Sequence, residues 1–197
     1  MDKPLIIIGA IAISLAILNY FMSRRRSNSI EQHAKKLGID FKRSSRIPKT
    51  IRKLNFTMLR LDSGLVRSKN LLTKNYDDMK VAIFDHEVKQ SRRTCFLITF
   101  NNKIFPNFNL YPNKVGIKSE MPLFKYKRIE IENGLDFSKK YILYSDSPES
   151  IKSLFNPELT FFIYGLDRLY LEGRENTLLF FQEGVALDEM LIDNYFD

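Results

Sequence analysis

Hydrophobic positions along this chain follow two regimes. From Leu5 to Met22 they form a nearly unbroken run of 18 residues, interrupted only by Gly9, Ser14 and Asn19. From Ile30 onward they come in short bursts divided by turn residues. The first run predicts one helix, apolar on every side. Its length sits at the lower edge of the roughly 17–25 residues that cross about 30 Å of hydrocarbon. Such a helix satisfies its own backbone groups, and Tyr20 and Phe21 stand where aromatic rings favour a headgroup boundary. A cleaved signal peptide is disfavoured, because Tyr20, Phe21 and Met22 occupy the place of its small residues. The expected organisation is a transmembrane anchor over residues 1–23, a basic linker over 24–30 and one α+β domain over 31–197.

Within that domain the period shifts repeatedly. Ile30 to Leu37 predicts a helical turn or two closed by Gly38, and Pro48 opens a short helix with Ile51 and Leu54 turned inward. Strand patterns fall at Phe56–Leu61, Lys80–Asp85, Thr94–Phe100, Arg128–Ile131 and Tyr141–Tyr144. The segment Phe105–Pro112 is extended, with two prolines that place it at an edge or in a loop. Ser147-Pro148 and Asn156-Pro157 each start a helix. Leu169–Glu172 and Thr177–Gln182 flank Gly173–Asn176 as a hairpin, and Ala186–Tyr195 ends the chain as an amphipathic helix. Without βαβ alternation, the fold class is α+β with mostly antiparallel pairing behind the N-terminal transmembrane helix.

Charge orients this picture. The net charge is +8, but residues 24–53 hold eleven basic against two acidic side chains, while residues 129–197 hold five against fourteen. Arg24, Arg25 and Arg26 close the apolar run, and Lys35 and Lys36 follow. Positive flanks stay in the cytoplasm, so the N-terminus is expected outside and the domain inside, in a bacterial inner membrane. The same five residues are the expected membrane-surface contacts, since each Lys or Arg beside anionic lipid contributes about 1 kcal/mol. Anionic lipid headgroups and the bilayer are thus the expected partners, together with an unidentified protein. Nucleic acid is the weaker candidate, because no RNA-binding motif surrounds the basic stretches.

Catalytic signatures are sparse. Asp85-His86-Glu87 is the one histidine flanked by carboxylates, and it reads as a solvated strand end rather than a metal or acid–base site. Cys95 lies in the apolar run Cys95–Phe100, as a small buried hydrophobe does. There is no glycine-rich phosphate loop, no HExxH and no GxSxG. The chain is therefore read as non-enzymatic and cofactor-free. A membrane-attached enzyme is the alternative, recognisable by a pocket lined by Asp85, His86 or Cys95; a basic lipid- or nucleic-acid-binding module is another.

Several segments also form a recognisable series: Leu37-Gly38-Ile39-Asp40-Phe41, Val81-Ala82-Ile83-Phe84-Asp85, Phe105–Pro112 and Phe137-Ser138-Lys139-Lys140-Tyr141-Ile142-Leu143-Tyr144. In this ordering the chain resembles a widespread group of uncharacterised bacterial proteins over roughly residues 31–195. The resemblance implies a shared domain built on turns, prolines and core aromatics. It implies no activity, ligand or site.

Overall fold

The computed structural model describes residues 3–60, 67–88, 91–113, 126–131 and 136–196. The side chains of residues 3–16, 19, 60, 67, 87, 88 and 91 also lie outside the described set. In chain order the first elements are α1 (Lys3–Lys36), β1 (Asp40–Arg46), α2 (Lys49–Lys53), α3 (Thr57–Arg60), β2 (Arg67–Asn75), β3 (Met79–Val88), β4 (Ser91–Phe100) and β5 (Phe105–Pro112). Then follow β6 (Lys127–Ile129), α4 (Phe137–Lys140), β7 (Tyr141–Ser145), α5 (Pro148–Leu154), α6 (Pro157–Gly165), β8 (Leu169–Glu175), β9 (Thr177–Gln182) and α7 (Glu189–Phe196). All nine strands join one antiparallel sheet in the order β1-β2-β3-β4-β9-β8-β5-β7-β6.

Both faces of this sheet are covered, which explains its continuous apolar runs. In β3, Val81 and Ile83 turn to α1 and α7, where Ile30, Ala34, Ile192 and Phe196 meet them. Ala82 and Phe84 turn the other way, onto Ile47, Ile51, Phe56 and Met58 around α2 and α3. Beyond β9 the first face is covered by α4, α5 and α6 through Phe137, Ile151, Phe155 and Ile163. Phe180 touches both helical clusters, so they share that face.

The expected transmembrane anchor is corrected. Among the described residues no helix is long and apolar enough to cross a membrane. The single-pass inner-membrane assignment, with its N-terminus outside, falls with that span. The part of the apolar run from Leu5 to Ala16 lies outside the described side chains. The helix does not stop at the arginines either. It continues through the supposed linker to Lys36 and buries Ser27, Ile30 and Ala34 against the sheet. A Schellman motif ends it: Ile39 N–H donates to Ala34 O at 2.9 Å and Gly38 N–H to Lys35 O at 3.3 Å, with Gly38 at φ +66°.

Other differences have local causes. The strand expected at Phe56–Leu61 is helical over Thr57–Arg60, because the Glu172 carboxylate accepts from Thr57 N–H at 2.7 Å and Met58 N–H at 3.0 Å. Leu61 lies outside the described residues, as does Asn133-Gly134, which the sequence predicts as a turn after Arg128–Ile131. Strands β1 and β2 were not anticipated. The segment Phe105–Pro112 is an interior strand, between β8 and β7, and tolerates Pro106 because the β5–β8 register shifts between Phe105 and Phe108. In the final hairpin, Gly173 and Arg174 belong to β8, and Arg174 pairs with Thr177.

Candidate functional site

Three polar or open regions stand out against this core. The first joins α1 to the sheet. Asp85 is fully buried on β3, and Arg26 reaches it with Nη1 to Oδ2 at 2.6 Å and Nη2 to Oδ1 at 3.2 Å. Asn70 Nδ2 donates to Oδ2 at 2.8 Å and Thr94 Oγ1 to Oδ1 at 3.3 Å. Arg26 also donates to Leu187 O, through Nη2 at 2.7 Å and Nε at 3.1 Å, while Leu187 N–H donates to Thr94 Oγ1 at 2.8 Å. Asn70 takes part because it sits at φ +51° in a β-bulge, where the β2–β3 register shifts between Lys69 and Leu72. The result is a charge-assisted lock between α1, β2, β3, β4 and the segment leading into α7. Asp85 and His86, expected at a solvated strand end, are both buried, on opposite faces of β3.

A second buried network centres on Glu172. Besides capping α3, its Oε1 accepts from Tyr111 Oη at 2.9 Å and its Oε2 from Arg174 Nη2 at 3.4 Å. Arg174 also donates to Phe108 O at 2.7 Å and Asn109 Oδ1 at 2.5 Å. Burial pushes the Glu172 carboxyl above its ordinary range, against the opposing pull of Arg174, Tyr111 and the two amides. Every oxygen is engaged internally, so this network holds structure rather than substrate. Burial likewise pushes the Cys95 thiol up to about 12, which removes it as a nucleophile at ordinary pH. Among the described residues no group of three His, Cys, Asp or Glu side chains could hold a metal ion.

The third region is open. A cavity of about 380 Å³ lies between α2 and the β1–β4 end of the sheet. Leu71, Ala82, Phe84 and Leu97 form its floor, Ile47 and Ile51 its wall, and Lys42 and Lys80 stand at its rim. A shallower hollow of similar volume is lined by Tyr20, Ser23, Arg24, Ser27, Arg43, Ser44 and Lys69, where α1 crosses β1 and β2. Neither is lined by Asp85, His86 or Cys95.

The five expected surface cations divide between these regions. Arg24, Arg25, Lys35 and Lys36 are exposed along α1, Lys35 in a 3.1 Å pair with Glu31. Arg43, followed by Lys35, holds the Glu31 carboxyl below its usual range. Arg26 instead faces inward as the Asp85 partner. Sequence reasoning missed Lys42 and Lys80. The only signal for Lys42 was the basic character of Ile39–Lys53, and Lys80 only opened the strand expected at Lys80–Asp85; neither pattern shows that β1 forms or which face each lysine takes.

The fold so assembled is a nine-stranded antiparallel sheet with helices on both faces and an N-terminal helix locked to it by a buried ion pair. In this architecture the chain is similar to the crystal structure of the mycobacterial trehalose monomycolate transport factor A, TtfA. The TM-score is 0.62 at 16% sequence identity, covering 86% of this chain and 88% of that one. At this identity the likeness shows a shared fold. No family model matches the chain, and no curated protein does.

Proposed function

We infer that this chain is a non-enzymatic lipid-binding protein that meets an anionic lipid surface with the outer end of α1. One observation carries the reading. Ile17, Leu18, Tyr20, Phe21 and Met22 span about 200° of the helix circumference, and each is 51–61% exposed. Nothing described in the chain covers them, and Arg24 and Arg25 follow directly. Contiguous exposed apolar surface marks an interaction site, and aromatic rings beside cations suit the headgroup layer. Lys35 and Lys36 sit eleven residues on, about 20° around the helix from Arg24 and Arg25, so the four form one stripe. The fold shared with a trehalose monomycolate transport factor agrees with a lipid-related role.

The test is sedimentation of the full chain with vesicles of phosphatidylcholine alone or mixed with phosphatidylserine. Binding is expected to favour the anionic vesicles, to weaken with salt, and to fall about tenfold or more in the double variant Arg24→Glu, Arg25→Glu. Equal binding to both vesicle types, or an unaffected double variant, overturns the reading.

A further inference from the structure

The cavity beneath α2 is the least expected feature of the core. Protein interiors fill at crystal-like density, and atoms lining a gap forfeit their dispersion contacts. Here about 380 Å³ stays open between the five-residue α2 and a floor of Leu71, Ala82, Phe84 and Leu97. That volume lies at the small end of the roughly 300–1,000 Å³ typical of ligand pockets. It has room for a slender apolar group.

The rim says what is attached to that group. Lys42 and Lys80 are exposed and form no ion pair among the described residues, in contrast to Lys35 and Arg43 nearby in sequence. Thr73 and Thr99 add hydroxyls beside Lys80, which pairs with Thr99 across the β3–β4 ladder. Two uncompensated ammonium groups over an apolar slot call for a ligand with an apolar tail and an anionic head. No arginine lines the site to supply the bidentate fork that favours phosphate. We propose that this cavity binds the hydrocarbon chain of a fatty acid, with its carboxylate held by Lys42 or Lys80. The ligand class rests on the lipid-related reading above, but the site is separate from the α1 surface.

Calorimetric titration of the full chain with dodecanoate below its micelle concentration tests this. One molecule is expected to bind per chain. Affinity should fall tenfold or more in the variant Lys42→Glu, Lys80→Glu and for neutral dodecanol, and binding should be abolished by Ala82→Phe, which fills the floor. The lysine variant changes only exposed side chains, so it decides the matter if the Ala82→Phe variant fails to fold. Absence of binding, equal affinity for dodecanol, an unaffected lysine variant, or tighter binding of dodecyl phosphate each overturns the proposal. Retention of anionic-vesicle binding by the lysine variant is expected and keeps the two readings apart: loss of dodecanoate binding alone leaves the α1 surface standing.

Discussion

Arg26 and Asp85 lie 59 positions apart and meet through two hydrogen bonds, the shorter 2.6 Å long, at the seam between α1 and the sheet. The aspartate is fully buried, whereas the arginine side chain keeps 26% of its exposure. Burying a carboxylate is costly, and the pair offsets that cost only while both members remain.

Removing one partner should therefore harm more than neutralising both. Arg26→Met is expected to lower unfolding free energy by about 3 kcal/mol, because Asp85 is left charged and buried. The double variant Arg26→Met, Asp85→Asn should cost less than Arg26→Met alone, since Asn70 and Thr94 keep a hydrogen-bonding partner. Urea unfolding of the three chains checks this. A double variant weaker than Arg26→Met shows that the pair is not the lock described.

Gly173 shows a different dependence. A methyl group there would sit 2.7 Å from Phe108 Cδ1 and closer still to Cε1, inside the ring's van der Waals surface. Phe108 is itself buried, in edge-to-face contact with Phe155 at 5.4 Å. Gly173→Ala should thus cost about 1–3 kcal/mol by overpacking. Adding Phe108→Leu should recover part of the loss, measurable as a non-additive pair in thermal or urea unfolding. Additive losses would mean that the ring already has room to move.

What the sequence disclosed depended on the range of the cause. Gly38, Pro48 and Asn156-Pro157 act within a turn or two, and each marks a helix boundary in the structure. The runs in β3 and β4 were legible because both of their faces are buried. By contrast, α3 depends on Glu172, more than a hundred positions away, and its β-prone Phe56–Leu61 pattern concealed that. Strands β1 and β2 are basic and half exposed, with a bulge at Asn70 that breaks their alternation, so no clean period announced them. Arg26 looked like one of three equivalent cations. Only the helix phase separates it, placing Arg26 with Ile30 and Ala34 on the inner stripe while Arg24 and Arg25 face out. The open cavity had no sequence signature, because it arises from how little sheet a short helix can cover.

Glu172 gives stability a pH dependence of definite sign. Burial raises its carboxyl above the ordinary 4.5, so the folded chain holds this proton more tightly than the unfolded one. Such a group contributes most below its unfolded-state value and loses that contribution as pH rises toward the folded-state value. Glu172→Gln removes the titration while leaving an oxygen for Thr57 or Met58 N–H, and Arg174 retains Phe108 O and Asn109 Oδ1. The stability of the natural chain relative to Glu172→Gln, measured by urea unfolding at a series of pH values, should therefore be highest below pH 4.5 and decline toward neutrality. A difference that is flat or grows with pH would mean that Arg174, Tyr111 and the two amides outweigh burial, and that Glu172 is held as a stabilised carboxylate.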